Sequence, residues 1–167
     1  DDFHHNGAYL LSYWRATALF GYDKTGPTTE SWYDLPDLGT QDQYQFFLDV
    51  GPLSNLDEYY GEDNIFWQQL KEHPNYDEFW QSRGIIQHLD DIKPAVMVVG
   101  GLFDAEDLYG PFNTYKKIEE TSDNHNIMVF GPWSHGDWAR KTERQAVGNV
   151  YFGDNISEDY QRNVETT

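Results

Sequence analysis

The stretch "KPAVMVVGGLFDAEDLYG", residues 93–110, decides the fold, because it places an apolar run directly before a crowded group of carboxylates. A run rich in valine without polar alternation is typical of a strand that is buried on both faces of a parallel sheet. The segment 108–123 then has the pattern of an amphipathic helix, and "NIMVFG" (126–131) is a second apolar run. Strand, helix and strand in this order predict a β-α-β unit, which requires a parallel pair and a right-handed crossover.

The chain changes character near residue 92, which predicts two regions, 1–92 and 93–167. The first region carries 17 acidic and 4 basic residues, and the second carries 12 and 7. The pattern of the first region predicts helices over 1–23 and over 40–51, the latter capped by Thr40, and two short helices separated by Pro74. The second region continues past the β-α-β unit into a further helix within 157–167. The expected class is therefore α/β, with a mostly helical first region.

Charge and composition exclude several classes of partner and site. The net charge is -18 over 167 residues, so nucleic acid and anionic membranes would be repelled. The chain has no cysteine, which excludes disulfides and thiolate sites and fits either the cytosol or a bacterial periplasm. Its apolar runs are too short to span a membrane.

Two side chains with catalytic potential follow the two predicted strands. Asp104 follows the first strand and His135 the second, and the carboxyl ends of parallel strands meet at one edge of a sheet. There an aspartate can orient an imidazole as a general base, although the spacing alone suits a structural pair equally well. None of the seven serines lies in a G-x-S-x-G elbow, and Ser134 adjoins His135 on a turn, where neighbours usually point apart. The order of acid and histidine is the tail of the Ser…Asp…His order, so we expect a nucleophile upstream of Asp1.

"GLFDAEDLYG" (101–110) and "GPWSHG" (131–136) together resemble the signature of the α-amino acid ester hydrolases and their relatives. These relatives include glutaryl-cephalosporin acylases, cocaine-esterase-like hydrolases and X-Pro dipeptidyl-peptidases. Phe103 stands where the family pattern has Trp, while "DDFHHNGA" (1–8) and "HPNYDEFW" (73–80) resemble segments of the family's helical cap. The resemblance implies an internal fragment of an α/β-hydrolase, with most of the cap in 1–92 and the last β-α-β unit of the sheet in 93–167.

By this resemblance Asp104 is the acid and His135 the base of a Ser-His-Asp triad. The resemblance also implies that Asp2, Glu106 and Asp107 bind the α-ammonium group of the substrate. Such a cluster suits an ammonium ion, because carboxylates accept charge-assisted hydrogen bonds, whereas without a cation the carboxylates repel one another. The alternative for all three is that they complement the positive N-terminal end of a helix.

Other candidate residues have simpler interpretations. Tyr109 and Trp133 lie beside the two site loops and could line an acyl pocket. His4 and His5 lie next to acidic residues, but adjacent histidines on a helix point in different directions, so we expect no metal site. No organic cofactor is implied either.

The sequence therefore predicts a fragment of a serine hydrolase that acts on esters or amides of α-amino acids, including β-lactam acyl groups. Its partners would be that small substrate and the remainder of its own chain, and without the nucleophile the fragment alone should be inactive. By resemblance the protein is periplasmic or secreted, with a cytoplasmic location left open. One alternative is a glutaryl-cephalosporin acylase or general carboxylesterase of the same family. Another is an inert acidic binding or structural module.

Overall fold

The computed structural model describes residues 3–21, 26, 35–140 and 144–165, and the chain divides into two compact units, Asp1–Arg83 and Gly84–Thr167. The sequence analysis predicted the boundary between the two regions later, between residues 92 and 93. The reason for the difference is that the segment before the first strand belongs to the second unit. There the Thr121 hydroxyl donates to the Leu89 carbonyl at 2.8 Å, and the Asp91 N–H donates to the Thr121 carbonyl at 3.3 Å.

The first unit opens with a short hairpin where the sequence analysis predicted a helix. Strands β1 (His4–His5) and β2 (Ala8–Tyr9) pair antiparallel across the turn Asn6-Gly7, whose residues have φ angles of 51° and 82°. Asn-Gly is the strongest short hairpin signal, because both residues tolerate a positive φ. The helical spacing of the aromatic residues obscured that signal, and helix α1 begins only at Trp14 (Trp14–Phe20), after a 3-10 turn.

Further short helices follow in the described part of the first unit. They are α2 (Gln43–Val50), α3 (Asp57–Tyr60), α4 (Ile65–Glu72) and α5 (Glu78–Gln81), with a 3-10 turn at Leu53–Leu56. The predicted break at Pro74 is confirmed. The predicted cap of α2 is wrong by two residues, because Asp42 rather than Thr40 accepts a free N–H of the first helical turn, from Gln45 at 3.0 Å.

The core of the first unit is built from aromatic rings. Trp67 and Tyr60 are almost fully buried, with ring centroids 4.8 Å apart, and the Tyr9 ring meets Trp67 edge-on at 5.5 Å. The Tyr9 hydroxyl is satisfied inside this core by Thr17 at 2.7 Å. Aromatic burial of this kind explains how a strongly acidic segment can form a stable core.

The second unit contains the predicted β-α-β arrangement. Strand β3 (Val96–Gly101), helix α6 (Tyr109–Thr121) and strand β4 (Asn126–Gly131) follow one another, and the two strands are parallel. The pairing runs without a shift from Val96 opposite Asn126 to Gly101 opposite Gly131. Both strands therefore end at the same level, and the loops that follow them start side by side.

A second hairpin, which the sequence analysis did not predict, follows the loop after β4 that carries His135 (the histidine loop). Strands β5 (Arg144–Val147) and β6 (Val150–Asp154) pair antiparallel with an irregularity between Gln145 and Ala146. Helix α7 (Ile156–Tyr160) lies where a helix was predicted, and it continues into a wider turn at Gln161–Glu165. Across the described residues, no helix has the length and apolar character that a membrane span requires.

Asn64 should be the most sensitive helix cap of the first unit. Its side chain is fully buried, accepts the Trp67 N–H at 2.9 Å and donates to the Thr17 carbonyl at 3.0 Å, which joins α4 to α1. We expect Asn64→Ala to lower the free energy of unfolding by about 2–4 kcal/mol, since it removes a cap and strands a buried carbonyl. Asp42→Ala is the matched control, because it caps a helix of the same length at an exposed site and should cost only about 1 kcal/mol. Urea unfolding followed by NMR signals of the first unit measures both, and equal costs would contradict the role given to the Thr17 bond.

Candidate active site

The two loops that follow β3 and β4 are joined through their backbones. The Leu102 N–H donates to the Gly131 carbonyl at 2.9 Å, and the Phe103 N–H donates to the Trp133 carbonyl at 3.0 Å. This approach requires glycine at position 101, because a Cβ there would lie 2.2 Å from the Trp133 carbonyl oxygen. The end of the β3 strand therefore sets the position of the loop that carries His135.

Asp104 is held as a buried, hydrogen-bonded carboxylate. Only 2% of its surface is exposed. The backbone N–H groups of Glu106 and Asp107 both donate to its Oδ1 atom at 3.0 Å, and its own N–H donates to the Gly101 carbonyl at 3.2 Å. Hydrogen bonds from two backbone donors offset the loss of water around a buried charge, and they fix the direction in which the second oxygen points.

His135 meets that second oxygen. Its Nδ1 atom lies 3.1 Å from Asp104 Oδ2 and 3.3 Å from Asp104 Oδ1, while 54% of the His135 side chain is exposed. A carboxylate at this distance accepts the Nδ1 proton and leaves Nε2 as the nitrogen that can exchange protons with another group. The structure thus brings together the two side chains that the sequence pointed to as acid and base.

Glu106 and Asp107 lie at the same imidazole. Asp107 Oδ2 is 3.4 Å and Glu106 Oε2 is 3.8 Å from His135 Nδ1, and both carboxylate side chains are about half exposed. The carboxylates of Asp104, Glu106 and Asp107 thus all lie within 4 Å of His135 Nδ1. Asp104, Asp107 and His135 also place one ligand atom each within 4.8 Å of one another, so a divalent cation would compete here for the nitrogen that Asp104 holds.

The remaining residues singled out from the sequence occupy different environments. Tyr109 begins α6 and is 76% exposed, whereas Trp133 is 2% exposed and packs against Tyr160, with ring centroids 5.2 Å apart. Trp133 therefore supports the histidine loop from inside, and its burial gives no support to a role in lining an open pocket. The Ser134 hydroxyl bonds to Asp137 at 2.5 Å, which fits its rejection as a nucleophile. Asp2 lies outside the described residues.

Asp137 and Gln145 are two further side chains near the site that the sequence analysis missed. Asp137 bonds to Ser134, the residue before His135, and the buried Gln145 donates to the Pro132 carbonyl at 2.8 Å. The Ser-x-x-Asp spacing at 134–137 was a signal that could have pointed to Asp137, because such side chains commonly cap nearby backbone N–H groups. The burial of Gln145 was not predicted, because this side chain becomes buried through the β5–β6 hairpin.

The close approach of the two loops predicts the effect of Gly101→Ala. The added methyl group would overlap the Trp133 carbonyl, so we expect the β-α-β unit to lose about 1–3 kcal/mol of stability and the His135 ring to change its environment. Gly110→Ala in α6 is the matched control, since a Cβ there meets nothing within 4 Å and the change should be neutral or slightly stabilising. Hydrogen exchange at β3 and β4 amides and the NMR shifts of the His135 ring measure the two effects. Identical behaviour of the two variants would contradict the proposed contact.

Comparisons with known proteins identify the family of this chain. The sequence matches the X-Pro dipeptidyl-peptidase (S15) family over residues 11–137, which is more than half of the chain and includes both Asp104 and His135. A crystal structure of an aminopeptidase from a marine sediment archaeon, Thaumarchaeota archaeon, is similar with a TM-score of 0.81 and 29% identity. That match covers 99% of this chain and 27% of the aminopeptidase chain. A comparison with curated protein sequences found no significant match. The chain belongs to the S15 family, that of the X-Pro dipeptidyl-peptidases.

Proposed function

We propose that this chain carries the acid and the base of a serine hydrolase that cleaves esters or amides of substrates with a free α-ammonium group. The observation that carries the proposal is the contact of 3.1 Å between the buried Asp104 carboxylate and Nδ1 of the half-exposed His135. A buried carboxylate that holds one imidazole nitrogen and leaves the other free is the arrangement of a catalytic general base.

The order of the chain supports an α/β-hydrolase as the parent fold. Asp104 and His135 follow consecutive parallel strands in the order acid, then histidine, as in the last part of that fold. The first unit would then be part of the helical cap and the second the last β-α-β unit of the sheet. Because the chain covers only 27% of the similar aminopeptidase, there is room for a nucleophile elsewhere in the parent protein.

The proposed reaction uses His135 as a proton carrier. Nε2 would take the proton of a serine hydroxyl as the oxygen attacks the acyl carbon, and it would return that proton to the leaving alcohol or amine. Asp104 would hold the ring and stabilise the positive charge that forms on it. Water or an amine would then resolve the acyl-enzyme. This chemistry needs neither a metal nor an organic cofactor.

The choice of an α-amino substrate rests on the remaining carboxylates. Glu106 and Asp107 are half exposed beside His135, and a substrate ammonium group placed there would relieve the repulsion among them. The names of the matched family and of the similar aminopeptidase both denote enzymes that act at the amino terminus of a chain. Asp2 stays a prediction as a further ammonium ligand. An anionic glutaryl group would be repelled by the same carboxylates, which makes a glutaryl-cephalosporin acylase the weaker alternative.

Replacing the proposed acid tests the catalytic part of the proposal. In the full-length protein we expect Asp104→Asn to lower kcat by about 10⁴-fold, because an amide would hold the wrong tautomer of the imidazole. Asp123→Asn is the control, since it removes a charge from an exposed residue of the same unit. Steady-state hydrolysis of an α-amino acyl ester measures both variants. If Asp104→Asn behaved like Asp123→Asn, the proposed catalytic pair would be wrong.

Replacing the exposed carboxylates tests the ammonium site separately. We expect Glu106→Gln and Asp107→Asn to lower kcat/KM for an α-amino ester by about 10- to 100-fold each, which corresponds to the loss of one hydrogen bond to a charged group. Hydrolysis of the des-amino analogue should be almost unchanged, because that substrate has no ammonium group to bind. If these residues only complement the end of a helix, the ratio of kcat/KM for the α-amino ester to that for the des-amino ester would stay unchanged. That result would disprove the ammonium site.

A further inference from the structure

The β5–β6 hairpin contacts both loops of the candidate site. On β6, the Phe152 ring lies 5.2 Å from the Phe103 ring, which precedes Asp104. On β5, Gln145 has 2% of its surface exposed, and its side-chain amide donates to the Pro132 carbonyl at 2.8 Å. An element that touches the residue before the acid and the loop before the histidine can hold the two loops in one arrangement.

The Asp137 side chain closes the turn 134–137, which contains His135, by bonding to Ser134. Its Oδ2 atom accepts the Ser134 N–H at 3.0 Å and the Ser134 hydroxyl at 2.5 Å, and its side chain is 16% exposed. The backbone closes the same turn, because the Asp137 N–H donates to the Ser134 carbonyl at 3.2 Å, and Gly136 adopts a φ of 74°. His135 therefore lies inside a turn whose first and last residues are joined by backbone and side chain.

The Asp137 carboxylate keeps its charge although it is mostly buried. Burial by itself would raise its pKa, but the hydrogen bonds from Ser134 and from the Gln145 side chain outweigh burial and hold the pKa below its usual value. A lowered carboxyl pKa stabilises the fold above the ordinary value of about 3.9, and that stabilisation is lost as the pH falls through the lower, folded value. At neutral pH the carboxylate is thus a permanent acceptor for the turn.

We propose that Asp137 and Gln145 are positioning residues that fix the His135 ring for proton transfer. The inference rests on the proposed function and deepens it. His135 needs such support, because its side chain is 54% exposed and the hydrogen bond that it donates to Asp104 holds the ring at one end, through Nδ1. Asp137 holds the turn from within, and Gln145 holds both Asp137 and the Pro132 carbonyl from the hairpin side.

The test uses the full-length protein and three replacements around the turn. Asp137→Ala should lower kcat by about 10- to 100-fold with little change in KM, because a small displacement of a catalytic group slows the chemical step while substrate contacts remain. Asp137→Asn keeps an oxygen that can accept the Ser134 N–H, so it should recover most of that loss. Gln145→Ala should lower kcat in the same way as Asp137→Ala, and Asp123→Asn again serves as the control for charge.

The outcomes separate this inference from the proposed function. If Asp104→Asn lowers kcat by about 10⁴-fold while Asp137→Ala and Gln145→Ala match Asp123→Asn, the inference is overturned and the proposed function stands. If Asp104→Asn has no effect, the proposed function itself fails. If Asp137→Ala does not fold, Ser134→Ala decides the matter, since it removes only the hydroxyl bond to Asp137. A fall in kcat at constant KM for that variant supports the inference, and wild-type kcat contradicts it.

Discussion

The candidate site depends on the parallel pairing of Gly101 with Gly131, the last residues of β3 and β4. Because the two strands end at the same level, the chains that leave them can bond to each other at once, through the Phe103 N–H and the Trp133 carbonyl. The approach is too close for any side chain at position 101. Asp104 comes directly after Phe103, and His135 comes two residues after Trp133. The sheet therefore sets the distance between the carboxylate and the imidazole.

The three carboxylates at 104, 106 and 107 differ in environment, although they are close in sequence. Asp104 is buried and accepts the two N–H groups that Glu106 and Asp107 supply from their backbones, while the side chains of those two residues extend outward beside His135. The backbone of one short turn thus stabilises the buried charge, and the side chains of the same turn build a negative surface next to it. Repulsion between the charges is reduced because one is hydrogen-bonded inside and two are solvated.

Much of the second unit could be predicted from the sequence. The two apolar runs and the intervening amphipathic helix determined β3, α6 and β4, and the polar residues after each strand pointed to Asp104 and His135. The hairpins were harder to foresee. In the first unit, aromatic residues at helical spacing outweighed the Asn6-Gly7 turn, whose two positive φ values require a hairpin and not a helix. In the second unit, the Gly148-Asn149 pair between Val147 and Val150 was a local hairpin signal that the sequence analysis missed, whereas the irregular register of β5 and β6 follows no local pattern.

The sequence by itself determined which residues could form the parallel pair and which aspartate and histidine would follow it, because strand burial and residue type can be recognised in local patterns. Only the tertiary structure decided that Asp104 is almost fully buried, that Glu106 and Asp107 also approach the imidazole, and that Trp133 faces the interior. It also decided that Gln145, from a hairpin farther along the chain, supports the histidine loop. Burial and hydrogen-bond partners arise from contacts between segments that are distant in sequence, so no local pattern could reveal them.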